Sequence, residues 1–284
     1  MVKTYYELTK PGLVWGNLIT TLAGFLFASR FSPAPALLLA TLAGTALVIA
    51  SACVFNNIFD READAKMPRT KKRALVSGAI SVRGAAIFGT ALALFGFLFL
   101  FLLVGTLPAF VALLGFAVYI GLYTPLKYRS SLAVFIGSIA GACPIAIGYS
   151  AALGHLDLTA ALLFVTMVLW QMPHFYAIAL FRHADYAAAG IPVLSVKRGA
   201  RAAYRQIVAF IILYLLIASS LTYFGYTGII YLVIVGTSGA IWLVLALGGS
   251  KQPDNTGHAR HIFLASLIVM LSFVIALSFA PLLP

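Results

Sequence analysis

The chain has 284 residues, of which 62% are hydrophobic and only 9% are charged, and its formal net charge is +12. A soluble globular domain carries about 25% charged residues, so the composition excludes a soluble protein and predicts a polytopic membrane protein. The positive charge does not indicate a nucleic-acid partner, because the basic residues lie before the first long apolar stretch or between such stretches.

Nine apolar segments follow one another along the chain, each near the ~20 residues that cross a bilayer core of ~30 Å. In chain order they are Gly12–Ser29, Ala34–Ile58, Gly84–Val104, Leu107–Tyr123, Leu132–Leu153, Leu158–Phe181, Ile207–Phe224, Gly228–Leu247 and Ile262–Leu283. The pattern predicts an all-α membrane protein that forms a single domain over residues 1–284.

The basic residues are distributed unequally between the two sides of the membrane. Eighteen of the 19 lie at the N-terminus or in the even-numbered loops, and only Arg30 lies on the other side. By the positive-inside rule, this asymmetry predicts a cytoplasmic N-terminus, cytoplasmic even-numbered loops and an external C-terminus.

An acidic cluster ends the second apolar segment, in the run Asn56–Asp64. On a helix, Asp60 and Asp64 share one face, Asn56 lies one turn earlier on that face, and Asn57 lies beside it. Carboxylates at the end of a membrane helix are costly unless a cation accompanies them. Their oxygens suit Mg²⁺, which usually completes its shell with water and substrate phosphate. The cluster therefore predicts a magnesium–diphosphate site at the membrane surface.

The loops after the second and fourth segments are basic. One interpretation is topogenic charge and contact with anionic lipid. The other is that some of these side chains neutralise a departing diphosphate, and for that role we favour Arg69, Lys72 and Lys127.

A second polar group lies in and after the sixth segment. Gln171 and His174 are three residues apart and share a helix face, and an intramembrane histidine is a functional candidate by default; a hydrogen-bonded packing role is the alternative. Arg182 and Asp185 are also three apart and either pair with each other or bind ligands. In the second case Asp185 supports a second metal and Arg182 binds a phosphate or carboxylate oxygen.

At these residues the chain resembles the UbiA superfamily of intramembrane prenyltransferases, whose first motif reads N-D-x-x-D-x-x-x-D. Here the motif is Asn56, Asn57, Asp60 and Asp64, with Asn57 where many members carry Asp. The surrounding sequence resembles the haem branch of that superfamily. The supporting strings are Thr9-Lys10-Pro11-Gly12, Cys53-Val54-Phe55-Asn56-Asn57, Lys66-Met67-Pro68-Arg69-Thr70-Lys71-Lys72-Arg73, Trp170-Gln171-Met172-Pro173-His174, Asp185-Tyr186 and Ile191-Pro192-Val193-Leu194.

The resemblance implies nine helices around a central, lipid-open cavity in a bacterial plasma membrane. It implies that Mg²⁺ bridges Asp60 and Asp64 to farnesyl diphosphate, that a vinyl group of haem b attacks the allylic cation, and that water then adds. A handover of the product to a haem A synthase or a terminal oxidase would follow. The second acidic motif of the superfamily, D-x-x-x-D, is incomplete here, because Ala189 stands four residues after Asp185.

Two other functions stay open at this point. The acceptor of the prenyl group could be a quinone precursor or a chlorophyll-type alcohol instead of haem. In a different class, Asp60 and Asp64 could be the ion-coupling pair of a transporter. Transporters place such acids near the bilayer midplane, whereas the positive-inside rule places these at the cytoplasmic end.

Overall fold

The computed structural model describes residues 1–251 and 256–282 of the chain, and within these ranges every regular element is a helix. Its helices are α1 (Val2–Leu8), α2 (Pro11–Ala28), α3 (Pro35–Lys66), α4 (Val82–Phe99), α5 (Thr106–Ala117), α6 (Thr124–Leu126), α7 (Ala133–Leu153), α8 (Leu158–Phe181), α9 (His183–Ala188), α10 (Leu194–Tyr223), α11 (Ile229–Ser250) and α12 (Thr256–Phe279). Two π-helical stretches, Leu100–Val104 and Val118–Tyr123, extend α4 and α5, and a 3₁₀ turn, Ala280–Leu282, follows α12.

Nine helices in the described ranges are long and apolar enough to cross a membrane. This confirms the predicted all-α fold and the nine predicted segments, although Leu283, the predicted end of the last segment, lies outside the described residues. Two helices extend furthest beyond their apolar segments. Helix α3 continues to Lys66, and α10 begins at Leu194, with non-helical dihedral angles at Gly199. Both extensions are charged, which is why hydropathy alone did not include them.

Helices α7 and α8 form the centre of the bundle. They are the most buried of the nine described spans, and α7 packs against α2, α3, α5 and α8. Helices α4 and α11 lie at the periphery and expose large apolar side chains such as Phe95 and Val244. Since lipid is as apolar as these side chains, close packing between helices stabilises such a bundle more than apolar burial does.

A close helix crossing joins α2 to α7. A Cβ atom added to Gly148 would overlap the carbonyl oxygen of Thr21, and one added to Gly24 would overlap the carbonyl oxygen of Ile145. The two backbones therefore touch at positions that admit no side chain. This crossing fixes α2 against the centre of the bundle.

The two long connections meet at one end of the molecule. The Arg69 guanidinium, in the loop after α3, lies 3.9 Å from the Asp185 carboxylate of α9. The turn between α1 and α2 lies at the same end, because Asn57 of α3 donates a hydrogen bond to the carbonyl oxygen of Leu8 at 2.8 Å. This end of the bundle therefore brings together polar residues from the end of α3 and from both long connections.

We expect Gly148→Ala to destabilise the protein, because the added methyl group meets backbone atoms that cannot move aside. Overpacking of this kind costs about 1–3 kcal/mol, which a lowered thermal unfolding midpoint in detergent would show. Gly236→Ala on α11 is the matched control, since nothing lies within 4 Å of its added Cβ. Equal unfolding midpoints for the two variants would contradict the backbone contact.

Candidate active site

Two adjoining cavities lie inside the bundle. The smaller, called the polar chamber, has a volume of about 200 Å³. Its charged and polar lining includes Lys10, Asn56, Asp60, Asp64, Arg69, Arg73, Lys127 and Tyr128. The larger, called the apolar chamber, has a volume of about 500 Å³ and is lined mainly by α2, α3, α7, α8 and α12. Tyr119 and Phe175 line both chambers, so the two are neighbours.

One face of α3 supplies the acidic side of the polar chamber. Asn56, Asp60 and Asp64 follow one another at intervals of one helical turn, so they project from the same face. Their exposed fractions are only 2%, 8% and 2%. Because α3 continues unbroken past them, this face is held by a regular helix rather than by a loop. The helix is therefore a rigid base for a ligand site.

The segment that follows α6 supplies the partners of the Asp60 carboxylate. Lys127 Nζ donates to Oδ2 of Asp60 at 2.6 Å, and the Tyr128 hydroxyl donates to Oδ1 at 2.6 Å. Burial, together with this hydrogen bond, raises the pKa of Tyr128 above its ordinary value. Tyr128 therefore remains a phenol and a hydrogen-bond donor.

Asp64 is neutralised by the loop that follows α3. Arg73 Nη1 donates to Oδ2 of Asp64 at 2.6 Å and to Oδ1 of Asn57 at 3.4 Å. The Thr70 hydroxyl donates to the backbone carbonyl of Asp64 at 2.9 Å. The loop thus folds back onto the end of its own helix and brings a guanidinium to the carboxylate.

The N-terminal segment closes the third side of the polar chamber. Lys10 has a left-handed backbone conformation with φ of 53°, which is unusual for a residue with a side chain. From this turn its Nζ donates to Oδ1 of Asn56 at 2.6 Å, while Asn56 Nδ2 donates to the Thr124 hydroxyl at 3.3 Å. Burial lowers the pKa of the Lys10 ammonium. Asn56 therefore joins the segment before α2 to the start of α6.

The polar chamber suits a polyanion. Four cationic side chains and two carboxylates line it, which leaves a formal excess of two positive charges. This excess complements a diphosphate group.

The residues also fit Mg²⁺, on the condition that a substrate supplies further oxygens. In the described part of the chain no group of three histidine, cysteine or acidic side chains is close enough to hold a metal. Mg²⁺ is commonly held by one or two carboxylates together with phosphate and water, and Asp60 and Asp64 meet that requirement. Both carboxylates are paired with cationic side chains. A metal ion that binds the carboxylates displaces those side chains, which then need another anion. We therefore expect the metal and the diphosphate to bind together.

Some predicted residues lie outside the chambers. Lys72 is exposed and lines neither one. Arg182 is exposed, with its guanidinium 4.4 Å from the centre of the Phe181 ring. Asp185 lies near Arg69 rather than Arg182 and does not line the polar chamber. Its assignment as a ligand of a second metal stays a prediction.

Two cationic residues of the polar chamber, Lys10 and Arg73, were not among the residues selected from the sequence. Lys10 could have been found, because it lies just before the first apolar segment, on the same predicted side as the acidic cluster. Nothing in the sequence separates Arg73 from the adjacent Lys72, since the fold of the loop decides which of them faces inward.

The apolar chamber contains the other two candidates, Gln171 and His174. Gln171 Nε2 donates to the carbonyl oxygens of Ser138 at 3.1 Å and Met167 at 3.0 Å. The His174 Nδ1 atom lies 2.7 Å from the Ser266 hydroxyl, and its ring stacks on Trp170 with centroids 4.9 Å apart. Gln171 thus ties α8 to α7, and His174 ties α8 to α12.

Known proteins resemble the chain over nearly its whole length. The model of the UbiA prenyltransferase family matches residues 17–279. A protein named protoheme IX farnesyltransferase 2 from Pseudomonas putida (strain GB-1) is 45% identical over 270 residues, covering 95% of this chain and 92% of that protein. A protein named protoheme IX farnesyltransferase from Serratia proteamaculans (strain 568) is 42% identical over 279 residues, covering 98% and 94%.

Solved structures share the fold. A structure reported for digeranylgeranylglyceryl phosphate synthase has a TM-score of 0.82 at 20% sequence identity, covering 99% of this chain and 98% of that one. A UbiA homologue from Archaeoglobus fulgidus, bound to GPP and Mg²⁺, has a TM-score of 0.65 at 13% identity, covering 97% and 99%. At such identities the likeness shows the fold alone.

The adjacent residues Lys72 and Arg73 give a direct test of the polar chamber. We expect Arg73→Ala to weaken the binding of pyrophosphate with Mg²⁺ at least about tenfold, since a hydrogen bond to a charged group contributes about 1.5–3 kcal/mol. Lys72→Ala, which removes the same charge from the same loop, should stay within about twofold of wild type, because exposed charges contribute little. Isothermal titration calorimetry on the purified protein measures both, and equal losses would contradict the assignment.

Proposed function

The chain belongs to the UbiA prenyltransferase family, and from this premise we propose that it transfers a farnesyl group from farnesyl diphosphate to a vinyl group of haem b. One observation carries the proposal: a buried chamber of carboxylates and cations adjoins a larger apolar chamber within the membrane-spanning part of the bundle. A substrate with a charged head and a long apolar tail requires a polar chamber beside an apolar one. Membership of an enzyme family argues against the transporter reading.

The polar chamber is the proposed site of the diphosphate. Lys10, Arg69, Arg73 and Lys127 surround it and would bind the phosphate oxygens, which suit Arg and Lys donors. Asp60 and Asp64 would hold Mg²⁺, which supplies neutralisation of the charge that develops on the leaving diphosphate. The Archaeoglobus homologue bound to GPP and Mg²⁺ supports this assignment.

The apolar chamber is the proposed site of the prenyl chain. It reaches from Cys53 to Thr45 on α3, and Thr45 lies about 22 Å from Asp60 along the helix at 1.5 Å per residue. That depth accommodates an extended fifteen-carbon chain. Tyr119 and Phe175, where the chambers adjoin, present aromatic faces that stabilise an allylic cation. The apolar lining also limits the access of water before transfer.

The names of the relatives support haem b as the acceptor. In the proposed reaction the C1–O bond of farnesyl diphosphate breaks and the diphosphate leaves with the bonding electrons. The terminal carbon of the vinyl group bonds to C1, and the adjacent carbon becomes cationic. The oxygen of one water molecule then bonds to that carbon and releases one proton, which leaves a hydroxyethylfarnesyl side chain.

The location and orientation of the protein in the cell are part of the same proposal. The distribution of basic residues supports a polar chamber at the cytoplasmic face of a bacterial plasma membrane, with the N-terminus on the same side. The charged substrate head would then remain near water while the apolar groups lie within the membrane. Because the product is itself apolar, it would pass to a haem A synthase or a terminal oxidase in the same membrane.

Mass spectrometry of the porphyrin tests the function. Purified protein incubated with haem b, farnesyl diphosphate and Mg²⁺ should yield a porphyrin heavier by one farnesyl group and one hydroxyl group. Water enriched in oxygen-18 should label the product, because its oxygen comes from the solvent. EDTA should stop the reaction, and an unchanged mass of the porphyrin would refute haem b as the acceptor.

Asp60→Asn and Asp64→Asn should each lower the rate of product formation by at least about a hundredfold, because each removes a charge that holds the metal–diphosphate group. Glu62→Gln on the same helix is the control, since Glu62 is exposed, and its rate should stay within about twofold of wild type. Unaltered turnover in either aspartate variant is incompatible with the proposed site.

A further inference from the structure

Ser266 of α12 holds two neighbouring aromatic side chains of α8. Its backbone carbonyl accepts a hydrogen bond from Trp170 Nε1 at 2.8 Å, and its hydroxyl lies 2.7 Å from His174 Nδ1. Ser266 is fully buried, so water does not compete for these contacts. One residue therefore positions both members of the stacked Trp170–His174 pair.

The hydroxyl of Ser266 also determines the tautomer of His174. Its oxygen lies 2.5 Å from the carbonyl oxygen of Phe263, and two oxygens this close require a proton between them. A serine hydroxyl has a single proton, so Ser266 donates to Phe263 and can only accept from His174. The Nδ1 atom of His174 is therefore the protonated nitrogen.

The second ring nitrogen, Nε2, is consequently left with a lone pair. Among residues 1–251 and 256–282, none forms a hydrogen bond with Nε2, and the ring lines the apolar chamber. No carboxylate is present in the described lining of that chamber, so nothing there would stabilise an imidazolium, and a buried unpaired charge is costly. The chamber thus contains a neutral imidazole with an unused lone pair.

We propose that Ser266 is a positioning residue that fixes His174 as the Nδ1–H tautomer, so that Nε2 ligates the iron of the porphyrin acceptor. This inference rests on the proposed function, since it takes the acceptor to be a haem. Imidazole nitrogen is a common axial ligand of haem iron. A metal-ligating histidine almost always donates its other N–H to a fixed acceptor, which sets the tautomer and the ring orientation. The Ser266 hydroxyl is that acceptor.

The plane of the imidazole is fixed by packing as well as by the hydrogen bond. The Trp170 ring is nearly parallel to it, at 26°, and the Phe263 ring lies 5.2 Å away at 44°. Since Phe263 and Ser266 both belong to α12, this helix sets the direction of the Nε2 lone pair. Ligation in a fixed direction would also limit which edge of the porphyrin reaches Phe175 and the polar chamber.

Titration of purified protein with haem b tests the ligation, with the Soret band as the readout. Ser266→Ala should shift the band and weaken haem binding by about 10–100-fold, the usual cost of losing an outer partner of a metal ligand. His174→Ala removes the ligand itself, so it should shift the band and weaken haem binding at least as much. Ser278→Ala is the matched control, because Ser278 is also a buried serine of α12, does not line the chamber, and within the described ranges its hydroxyl bonds only to the Val274 carbonyl. It should leave both the band and the affinity unchanged.

Metal-free protoporphyrin IX is the second probe, since it has the same ring but no iron. Its affinity should change less than about threefold in His174→Ala and Ser266→Ala if the lone pair acts on iron. Added imidazole should restore the ligated spectrum of His174→Gly. An equal loss of affinity for both porphyrins, or an unshifted Soret band in both variants, would overturn the proposal.

These outcomes separate the inference from the function on which it rests. If the Soret band depends on His174 and Ser266 but no farnesylated porphyrin forms, the ligation stands and the proposed function fails. If the product forms while His174→Ala leaves the haem spectrum unchanged, the function stands and the ligation fails.

Discussion

The structure depends on two carboxylates that are buried at the end of a membrane helix. Asp60 and Asp64 are almost inaccessible to solvent, and removing the partner of a buried charge costs about 3–5 kcal/mol. Lys127 and Arg73 supply the partners from two different loops. The same ion pairs that satisfy the acids therefore hold the loop after α3 and the segment after α6 against the chamber. A ligand that enters must replace these ion pairs with contacts of its own. A divalent cation can take the place of the basic side chains beside the two carboxylates, and a diphosphate can take the place of the carboxylates beside Lys127 and Arg73.

The division of the cavity into two chambers follows from the same constraint. Charged groups are concentrated at the C-terminal end of α3, and apolar groups line the space beside the earlier part of the same helix. Tyr119 and Phe175 stand where the chambers adjoin, which is where a bond between a charged head and an apolar tail would lie. Catalysis in such a site requires little covalent participation by the protein; it requires positioning and electrostatic stabilisation of the leaving group.

Features that depend on local sequence could be predicted, and features that depend on the path of a loop could not. The nine spans follow from hydropathy, and the shared face of Asn56, Asp60 and Asp64 follows from helical spacing. The selection of Lys127 followed from its basic loop, and the structure places it 2.6 Å from Asp60. Lys72 and Arg73 are adjacent and alike in charge, so only the folded loop separates them. Ser266 is one of several serines in the last span, and its role depends on the approach of α8, which no spacing within α12 encodes.

The central claim is that Asp60 and Asp64 hold a divalent cation in direct contact with the substrate diphosphate. Electron–nuclear double resonance of phosphorus-31 tests it, on purified protein with Mn²⁺ in place of Mg²⁺ and farnesyl thiolodiphosphate as an unreactive substrate. The account predicts a phosphorus coupling typical of direct Mn²⁺–phosphate contact in the wild type, and its loss in the Asp60→Asn, Asp64→Asn double variant. The same coupling in the double variant would contradict the claim, because the metal would then be held elsewhere.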